Sequence, residues 1–543
     1  MGNSFALVMI FNLILLSISC QQKPFSDSAL NALSTFTLEP GFKIELVASE
    51  PMVADPVAME IDERGRIYVV EMHGYPLDLS GTGKVKMLTD TDGDGQIDRS
   101  STFVEGLLIP TGILRWKQGV IVVDPPSVLY FEDTDDDGVA DKRDTLLTGF
   151  AVSNPQHNTN NPILGLDNWI YVAHESPVST TVYKDLFGDH GSDIVSPSKP
   201  SLQRLPKNAS GRSVRFNPDA GKAEIVSSKT QFGHTFDAWG HYLLVTNANH
   251  IQQEVIAAAY LQRNPDQVVP SSVASLSDHG HAAEVFPTTT NPELQMLTNV
   301  GVMTSACGIT AYLGNAFSQE YNENIVFVAE PVSNLVHADK LTDKGATFMA
   351  SRVRGKKEFL TSTDSWFRPV NMYVGPDGAL YVVDYYRQII EHPEWMSEEV
   401  NQSGALYNGK DQGRIYRITA EGTPKVSWTK ELAEAQYTND FLVEKLSDPN
   451  IWWRRNAQRM LVDRSDLQTV PMLIELSKNL DSAVGRLHAL WTLEGIGQLS
   501  SSEIRRALND PEPGIRENAI KLAERHLVKD PSMAEDLLAL ASD

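Results

Sequence analysis

The stretch PDGALYVVD at residues 376–384 decides the fold, because the chain repeats its pattern. A turn of Gly, Asn or Asp is followed by a short run of β-branched and aromatic residues, which is typical of a strand behind a tight turn. Such runs recur at intervals of roughly 50 residues, as propeller blades do. The other copies are ERGRIYVVE (63–71), KQGVIVVD (117–124), LDNWIYVAHE (166–175), AWGHYLLVTN (238–247) and NENIVFVAE (322–330), with DQGRIYRI (411–418) as a candidate closing strand. They predict an all-β six-bladed β-propeller over residues 38–420. Seven blades are the alternative, because residues 168–322 hold long insertions.

Beyond the propeller the pattern becomes helical. Three segments align at Ala457, Ala489 and Ala519, with Leu and Ala at helical spacing and Asp-Pro pairs at turns. They predict a small all-α HEAT-type solenoid over residues 438–543, after a linker at 421–437. Such arrays bind proteins or brace a neighbouring domain, so we expect a protein partner on the HEAT repeats as one outcome. We expect Trp452 and Trp453 to pack against the propeller.

Composition limits the partners. The 543 residues include 46 basic and 70 acidic side chains, for a net charge of −24. This charge argues against nucleic acid and against an anionic membrane surface as partners. The two cysteines, Cys20 and Cys307, cannot form a disulfide framework or a Cys-rich zinc site, and no C-x-x-C-H haem motif occurs. Cys307 stands in an apolar run, where we expect a buried small hydrophobic residue.

The N-terminus, MGNSFALVMIFNLILLSISC at residues 1–20, carries an apolar stretch too short to span a bilayer comfortably. Small residues precede Cys20, so the segment resembles a bacterial lipoprotein signal that is cut before Cys20 and leaves that residue lipidated. An ordinary signal peptide and an uncleaved anchor are the alternatives, and all three imply export. We therefore expect a membrane-anchored lipoprotein facing the periplasm or the cell surface, with residues 21–37 as a linker.

Two acidic loops, DTDGDGQID (90–98) and DTDDDGVAD (133–141), share the pattern D-x-D-x-D-G-x-x-D. Alternating carboxylates on a tight turn direct several oxygens at one point, and a hard cation with 6–8 oxygen ligands suits them, so the loops predict calcium sites. Strand-like runs precede both loops, which favours strand–loop–strand sites over helical EF-hands. The alternative is a pair of Asp/Gly-rich hairpin turns without metal. The candidate ligands are Asp90, Asp92, Asp94, Gln96, Asp98, Asp133, Asp135, Asp137, Val139, Asp141 and Asp144.

The densest group of chemically capable residues lies at 362–395. Arg368 stands before a proline just ahead of a predicted strand pair, and residues at such loop ends line the mouth of a propeller channel. Its planar fork suits carboxylates and quinone oxygens. The alternative is a structural arginine that holds two blades together. Asn371, Asp384, Arg387 and Glu391 follow within the same stretch.

Four stretches together resemble a membrane-bound dehydrogenase family of planctomycete and Bacteroidetes type: EFLTSTDSWFRPVNMYVGPDGALYVVDYYRQIIEHPEW (358–395), TSACGI (304–309), VFVAEPVSNLVHADKL (326–341) and QFGHTFDAWGHYLLVTN (231–247). The resemblance covers roughly residues 38–420 and extends to the HEAT-like repeats that commonly follow in that family. The propeller of that family is similar to those of the soluble quinoprotein glucose and sorbosone dehydrogenases. Longer members end in a cytochrome c domain, whose motif this sequence lacks.

The resemblance implies an oxidation of a sugar or related alcohol. In the quinoprotein propellers a histidine near the channel removes the hydroxyl proton, and hydride passes to pyrroloquinoline quinone held by Arg, Asn and Ca²⁺. The counterpart of the histidine here is His157, with a loop histidine bonded to backbone as the alternative. Electrons would leave to a separate acceptor such as a cytochrome c. The implied catalytic set is His157, Arg368, Asp384 and Arg387, and the implied cofactor contacts are Arg368, Asn371, His234 and Asn247.

Three functions therefore compete. A quinoprotein-like oxidoreductase predicts a channel lined by His157 and Arg368, with room for a tricyclic quinone. A non-catalytic propeller that binds a glycan or a protein predicts a channel closed by side chains and an Arg368 that is paired internally. A metal-dependent hydrolase or lactonase predicts a cation at the channel centre, held by the residues that end blade strands, namely Glu71, Asn247, Glu330 and Asp384. Fold alone does not decide among them.

Overall fold

A computed structural model describes residues 25–93, 96–178, 180–264, 266–289, 300–424 and 427–543. The predicted signal segment and its Cys20 lie outside the described residues, as do Asp94 and Gly95 of the first acidic loop. Helix α1 (Asp27–Ala32) and strands β1 (Phe36–Leu38) and β2 (Phe42–Ser49) come first in the chain. Six sheets follow in sequence order around a central channel, which confirms six blades rather than seven.

The first three blades run from residue 56 to residue 225. Blade one holds β3 (Pro56–Ile61), β4 (Ile67–Glu71), β5 (Gly83–Thr89) and β6 (Arg99–Leu107). Blade two holds β7 (Gly112–Trp116), β8 (Gly119–Asp124), β9 (Ser127–Glu132) and β10 (Lys142–Thr148). In blade three, β11 (Asn160–Leu164) and β12 (Ile170–Ala173) precede an insertion with α2 (Lys184–Phe187), β13 (Asp193–Ile194) and β14 (Leu205–Lys207), and β15 (Val214–Asn217) and β16 (Lys222–Ile225) complete the sheet.

The last three blades run from residue 234 to residue 420. Blade four holds β17 (His234–Phe236), β18 (Tyr242–Thr246), β19 (Asn249–Glu254), helix α3 (Ala258–Leu261) and β20 (Val273–Ser275). Blade five holds β21 (Cys307–Tyr312), helix α4 (Gln319–Asn322), β22 (Ile325–Glu330), β23 (Leu335–Lys344), β24 (Thr347–Arg352) and β25 (Leu360–Ser362), with β1 at its edge. Blade six holds β26 (Pro369–Val374), β27 (Leu380–Asp384), helix α5 (Glu398–Ser403) and β28 (Arg414–Ala420).

The ring is closed by the beginning of the chain. Strand β2 pairs antiparallel with β28, from Phe42 opposite Ala420 to Ser49 opposite Arg414, and so becomes the outermost strand of blade six. The predicted closing strand at 411–418 is thus the third strand of this blade. Two predicted linkers contain ordered elements: α1 lies within residues 21–37, β1 begins there, and a helix begins at Trp428 in the second linker. Trp428 and Leu432 are buried in the core shared with blade one, which explains the order of the second segment.

The repeated phrase forms the first turn and second strand of each blade. In PDGALYVVD the carboxylate of Asp377 accepts a hydrogen bond from the Ala379 N–H, and Gly378 has φ +75°, which only glycine adopts readily. Strand β27 behind this turn is buried along its whole length. Neighbouring blades cover both faces of such a strand, so it is continuously apolar rather than alternating.

Eight helices form the α-helical solenoid in the described part of the C-terminal region. They are α6 (Trp428–Glu434), α7 (Asn439–Lys445), α8 (Ile451–Arg464), α9 (Val470–Leu476), α10 (Ala483–Gly495), α11 (Ser501–Ala507), α12 (Pro513–His526) and α13 (Met533–Ala539). Trp452 and Trp453 pack on the propeller as predicted, since their ring N–H groups donate to the carbonyls of Ile61 and Pro376. Among the described residues, no helix is long and apolar enough to cross a membrane.

Candidate active site

Two sets of loops form the upper face of the propeller. One set leads into the innermost strand of each blade, and the other follows the second strand of each blade. They surround a cavity of about 460 Å³ at the mouth of the central channel. Its wall is largely apolar and aromatic, with rings from Tyr75, Phe232, Tyr385 and Trp395. The polar side chains of the lining are those of Gln156, His157, Gln231, Asn247, Thr304, Ser305 and Glu391. A concave, mostly apolar site with a few polar groups is the usual form of a small-molecule site.

His157 reaches this cavity from the loop before β11. The side chain of Asn154 accepts a hydrogen bond from the Gln156 N–H and begins a single helical turn that ends at His157. His157 Nδ1 lies 2.6 Å from Glu175 Oε1, in the loop after β12. A carboxylate at Nδ1 holds the ring in one orientation and leaves Nε2 as the proton acceptor. This arrangement suits a general base, as the sequence predicts for His157.

Glu391 lines the same cavity. Burial raises the pKa of its carboxyl to about 7, while the backbone N–H of His392 and the nearby His157 act in the opposite direction. The His392 N–H donates to Glu391 Oε1 over 2.8 Å. Glu391 therefore exchanges its proton near neutral pH, close enough to His157 to be influenced by its charge. Two adjacent groups of this kind are a recognised arrangement for proton transfer.

Arg368 does not line the cavity. Its guanidinium donates to three backbone carbonyls, those of Pro331 (2.7 Å), Arg387 (3.0 Å) and Gln388 (2.5 Å), and the residue is 1% exposed. Pro331 belongs to the cavity wall, so Arg368 supports that wall from behind. A direct contact to a bound cofactor would require these bonds to break, which fits the structural alternative for this residue.

Arg387 is also buried, and it joins the last blade to the first. Its guanidinium donates to Asp55 Oδ1 over 2.6 and 3.0 Å. The second carboxylate oxygen of Asp55 lies 2.9 Å from His73 Nδ1, and His73 Nε2 lies 2.9 Å from Glu71 Oε2. Burial lowers the pKa of His73, but its hydrogen bonds to the carboxylates of Asp55 and Glu71 outweigh this effect and raise the pKa to about 9. Arg387 is thus part of a charged network that closes the ring.

Asp384 ends β27 behind the cavity wall. Its Oδ1 accepts hydrogen bonds from the N–H groups of Arg368 (2.8 Å) and Tyr386 (2.9 Å). Burial raises the pKa of this carboxyl to about 7, although Arg414 favours the charged form. Asp384 therefore fixes the turn that leads from β27 towards Glu391 and does not itself face the cavity.

The structure separates the predicted cofactor contacts into two groups. Asn247 is exposed at the upper cavity, on the same wall region as His157. His234 and Asn371 instead lie lower in the channel, where both meet Asn161: His234 Nε2 lies 2.5 Å from the Asn161 carbonyl, and Asn371 Nδ2 lies 2.9 Å from Asn161 Oδ1. Burial lowers the pKa of His234 to about 4, so its ring is neutral. These residues fill the channel below the cavity.

A second cavity, of about 160 Å³, lies below that level. It is bounded by the innermost strands and by Trp452, Arg455 and His488 of the helical region. The helices thus cover the lower end of the channel, and the upper cavity is the larger and more accessible of the two described spaces.

The two acidic loops occupy equivalent positions in successive blades. The first joins β5 to β6 and the second joins β9 to β10, so both are outer hairpins, which confirms the predicted strand–loop–strand arrangement. Both loops are held by the same pair of hydrogen bonds from a threonine to an aspartate. In the first loop Thr91 donates to Asp98, and in the second Thr134 donates to Asp141. In each case the backbone N–H donates over 3.1 Å and the hydroxyl over 2.7 Å. The sequence repeat is therefore also a repeat of local structure.

Each loop gathers carboxylates. Oxygens of Asp90, Asp92 and Asp98 lie within 4.8 Å of one another in the first loop, and those of Asp133, Asp135 and Asp137 do so in the second. The Asp137 carboxylate raises the pKa of Asp135, which reflects their mutual repulsion. Gln96 borders the residues outside the described chain, and the N–H of Val139 donates to Asp137 over 2.8 Å. Asp144 lies on β10 opposite Tyr130, beyond the cluster. Calcium in these loops stays a prediction.

The residues predicted for a hydrolase cation do not form one group. Glu71 is bound to His73 and to the Ala54 N–H, and Glu330 accepts three hydrogen bonds from Thr304 and Ser305. Within the described chain, the clusters of His, Cys, Asp and Glu able to hold a metal include none that joins Glu71, Glu330 and Asp384.

Sequence reasoning missed several cavity residues. Glu175, the partner of His157, ends the quoted run LDNWIYVAHE, and its position after a second strand could have identified it. Tyr75 and Gln156 carried no motif, and Trp395 ends the quoted stretch 358–395 without an assigned role, because all three lie in loops that only the closed ring brings together. Gln156 Nε2 donates to the Tyr75 hydroxyl over 3.1 Å, a contact between loops of blades one and three.

Comparison with known proteins adds a family and a set of distant structures. Residues 28–422 match a family described as a domain of unknown function, DUF7133. No curated protein matches the chain.

Three solved structures illustrate the structural likeness. The PQQ domain of pyranose dehydrogenase from Coprinopsis cinerea, in its holo form, has 14% identity and a TM-score of 0.38, over 71% of this chain and 97% of that one. The calcium structure of a Trichoderma reesei carbohydrate-active enzyme of family AA12 has 13% identity and a TM-score of 0.40, over 71% and 97%. The apo soluble aldose sugar dehydrogenase of Escherichia coli has 12% identity and a TM-score of 0.40, over 70% and 100%. Identities this low transfer neither a substrate nor a residue role.

Proposed function

This chain belongs to the DUF7133 family, and we propose that its upper cavity binds a sugar or a related alcohol and removes the proton of one hydroxyl group. The observation that carries the proposal is the pair formed by His157 and Glu175 at the cavity wall, with 2.6 Å between Nδ1 and Oε1. An imidazole whose Nδ1 is held in this way presents Nε2 as the acceptor for a hydroxyl proton. Glu391, whose pKa is raised by burial to about 7, would exchange that proton with solvent.

The lining supports a neutral, polar ligand. Aromatic rings such as those of Tyr75 and Trp395 suit the C–H faces of a sugar, and the amides of Gln156 and Asn247 suit its hydroxyl groups. No described lining residue is Lys or Arg, so the cavity offers no fork or point charge for an anionic substrate. A sugar or polyol is therefore the ligand class that we favour.

Proton removal at a hydroxyl is the half of an alcohol oxidation that this chain's own residues can perform. The C–H hydrogen would leave with its electron pair, and the oxidation needs a bound acceptor for that hydride. Pyrroloquinoline quinone is the acceptor that the sequence resemblance implies. A cavity of about 460 Å³ has room for a tricyclic quinone.

The charges of the cavity are less suited to that quinone. Its carboxylates would face Glu391, and both nearby arginines are engaged: Arg368 with backbone carbonyls and Arg387 with Asp55. Among the described residues, the cavity lining therefore offers the carboxylates of this quinone no cationic side chain, and the residues present do not fit it. Export, a lipid anchor at Cys20, calcium in the acidic loops, a separate electron acceptor and a partner on the HEAT-type repeats stay predictions.

A second function, glycan binding without chemistry, is favoured by one observation. Arg368 is engaged internally, as that hypothesis predicts, and it is 1% exposed. The two functions share the ligand class and differ in whether His157 does chemistry. They can be separated in one set of variants.

The test is calorimetric titration of a panel of sugars into the calcium-loaded protein without residues 1–20, followed by dye-linked oxidation assays with and without added pyrroloquinoline quinone. We compare the wild type with His157→Ala and use His190→Ala, an exposed histidine of the blade-three insertion, as the control. We expect similar sugar binding in all three proteins and a loss of about 10²- to 10⁴-fold in turnover for His157→Ala alone. Binding without turnover in the wild type would support the glycan-binding function, and no sugar binding would overturn both.

A further inference from the structure

A second group of titratable side chains lies between blades four and five, away from the upper cavity. His250 lies on β19, and His279 follows β20. His337 and Asp339 lie on β23, two residues apart and therefore on the same face of the strand. His279 reaches them because the Asp278 N–H donates to the Ala350 carbonyl of blade five over 3.0 Å. His250, His337 and Asp339 are buried, while His279 is 15% exposed at its side chain.

The geometry of this cluster is that of a metal site. The four candidate ligand atoms lie within 4.8 Å of one another. From Asp339, Oδ2 lies 2.9 Å from His250 Nε2, and Oδ1 lies 3.0 Å from His337 Nε2 and 3.8 Å from His279 Nε2. The three ring centroids are 4.9, 5.3 and 5.4 Å apart. Around a tetrahedral zinc with bonds of about 2.1 Å, donor atoms lie about 3.4 Å apart and imidazole centroids about 5.2 Å apart.

Outer carboxylates orient two of the rings towards the cluster. His337 Nδ1 lies 2.6 Å from Glu358 Oε2, and His279 Nδ1 lies 2.8 Å from Asp278 Oδ1. Each carboxylate accepts a hydrogen bond from the Nδ1–H group, so Nε2 is the ring nitrogen directed at the centre. A carboxylate behind a metal-bound histidine is the common second layer of such sites.

Two ring nitrogens of the cluster are buried without a hydrogen-bond partner among the described residues. They are His250 Nδ1 and His279 Nε2. An unpartnered buried nitrogen is costly in a folded protein. His279 Nε2 lies 3.8 Å from Asp339 Oδ1. This distance is too long for a hydrogen bond, but a cation bound to both atoms would bridge it.

The charges also favour a divalent cation. Asp339, Glu358 and Asp278 are acidic, and Arg352, whose Nη1 lies 3.4 Å from Glu358 Oε1, is the basic side chain beside them. With neutral imidazoles, these groups leave two negative charges between the blades. One divalent ion balances them.

We propose that His250, His279, His337 and Asp339 bind one zinc ion that joins blade four to blade five. Imidazole nitrogens and one carboxylate suit zinc and related transition metals, whereas calcium prefers the all-oxygen ligands of the acidic loops. Four protein ligands leave no open position, so the ion is structural. His279, the most exposed ligand, lies on the side from which the ion enters.

Metal analysis and cobalt titration test this site. The protein is stripped with a chelator, supplied with excess calcium to occupy the acidic loops, and titrated with cobalt(II), whose visible absorption is intense in a tetrahedral site. Zinc should displace the cobalt with one equivalent per chain. We expect this signal in the wild type and in His281→Ala, an exposed neighbour that serves as the control. His279→Ala should lose the signal, and Asp278→Asn should bind about 10- to 100-fold more weakly.

His279 lies outside the strands, so its variant keeps the blades intact, and far-ultraviolet circular dichroism checks this directly. Thermal unfolding gives a second readout: zinc should raise the Tm of the wild type and of His281→Ala and leave that of His279→Ala unchanged. Equal zinc binding by the wild type and His279→Ala, or no tetrahedral cobalt signal in the wild type, would overturn the proposal. In that case His337 is instead an imidazolium held between Asp339 and Glu358.

Discussion

Glu330 offers a quantitative check on the burial of charge beside the cavity. It ends β22 and is fully buried, and its carboxylate accepts hydrogen bonds from Thr304 N–H (3.2 Å), Ser305 N–H (3.0 Å) and the Ser305 hydroxyl (2.5 Å). Burial nevertheless dominates and raises its pKa from 4.5 to about 7. The folded protein therefore holds this proton at pH values where the unfolded chain has released it.

The sign of the pH effect follows from this difference. Below pH 4.5 the carboxyl is protonated in both states and costs nothing. As the pH rises from 4.5 to about 7, the unfolded state gains by ionising and the folded state loses relative stability. Above that window the loss is complete, at about 3 kcal/mol, since each pH unit between the two pKa values contributes about 1.4 kcal/mol.

The perturbation is Glu330→Gln, which keeps the shape and an acceptor oxygen but cannot ionise. We expect the free energy of unfolding of the variant, relative to the wild type, to rise by about 3 kcal/mol between acidic and mildly alkaline pH. Urea unfolding at a series of pH values measures it, and Glu323→Gln, an exposed residue of the same blade, is the control. A difference between Glu330→Gln and wild type that stays constant with pH would refute the reasoning.

Three further predictions concern the scaffold. Arg387→Ala leaves the buried Asp55 Oδ1 without its guanidinium partner, with His73 on the other oxygen, and should cost about 3–5 kcal/mol in urea unfolding. A curve that overlays the wild type would contradict the role of the Arg387–Asp55 pair in closing the ring. Calcium should raise the Tm, and Asp135→Ala should reduce that rise while Asp144→Asn, outside the cluster, should not; an unchanged Tm in chelator would exclude bound calcium. Trp452→Ala should cost about 3–5 kcal/mol and expose the segment before α7 to proteolysis, and an unaltered cleavage pattern would argue against this anchor.

Local sequence patterns were sufficient to predict the six blades, but they did not predict which strands pair to close the ring. The turn-and-strand phrase predicted each second strand, because tight turns and continuously apolar strands leave a signature within ten residues. The pairing of β2 with β28 joins residues 42–49 to residues 414–420. No local pattern encodes a contact between the two ends of the propeller. Helix α6 was missed for a similar reason, since Trp428 is ordered by burial against blade one.

The candidate site shows where sequence reasoning stops. His157 and Asn247 both line the upper cavity, because their loops meet at the upper face of the propeller, and their roles there stay predictions. Arg368 and Arg387 belong to the same stretch, yet both turn into the protein. A polar residue at a strand end can bind a ligand or satisfy a neighbouring backbone carbonyl, and only the folded chain shows which. For Arg368 the carbonyls of Pro331 and Gln388 are the partners.

The repeated turn has a second role that bears on function. On the lower face, these turns contact the helical region. In blade one, Arg459 Nη2 lies 2.9 Å from Glu63 Oε2. Each of the other blades makes at least one contact of this kind: Lys117 of blade two with Asp463 (3.2 Å), Asn168 of blade three with the Trp491 carbonyl (2.9 Å), the Trp239 carbonyl of blade four with Asn518 (2.9 Å), the Leu313 carbonyl of blade five with the Ile451 N–H (2.9 Å) and the Gly375 carbonyl of blade six with Asn450 (2.9 Å).

One helical array thus contacts the first turn of every blade and covers the lower mouth of the channel, where Trp452 and His488 bound the smaller cavity. On the upper face, by contrast, none of the described residues that line the cavity belongs to the helical array. That is the face on which His157, Glu175 and Glu391 stand, so the placement of the helices supports the upper cavity as the site of any chemistry.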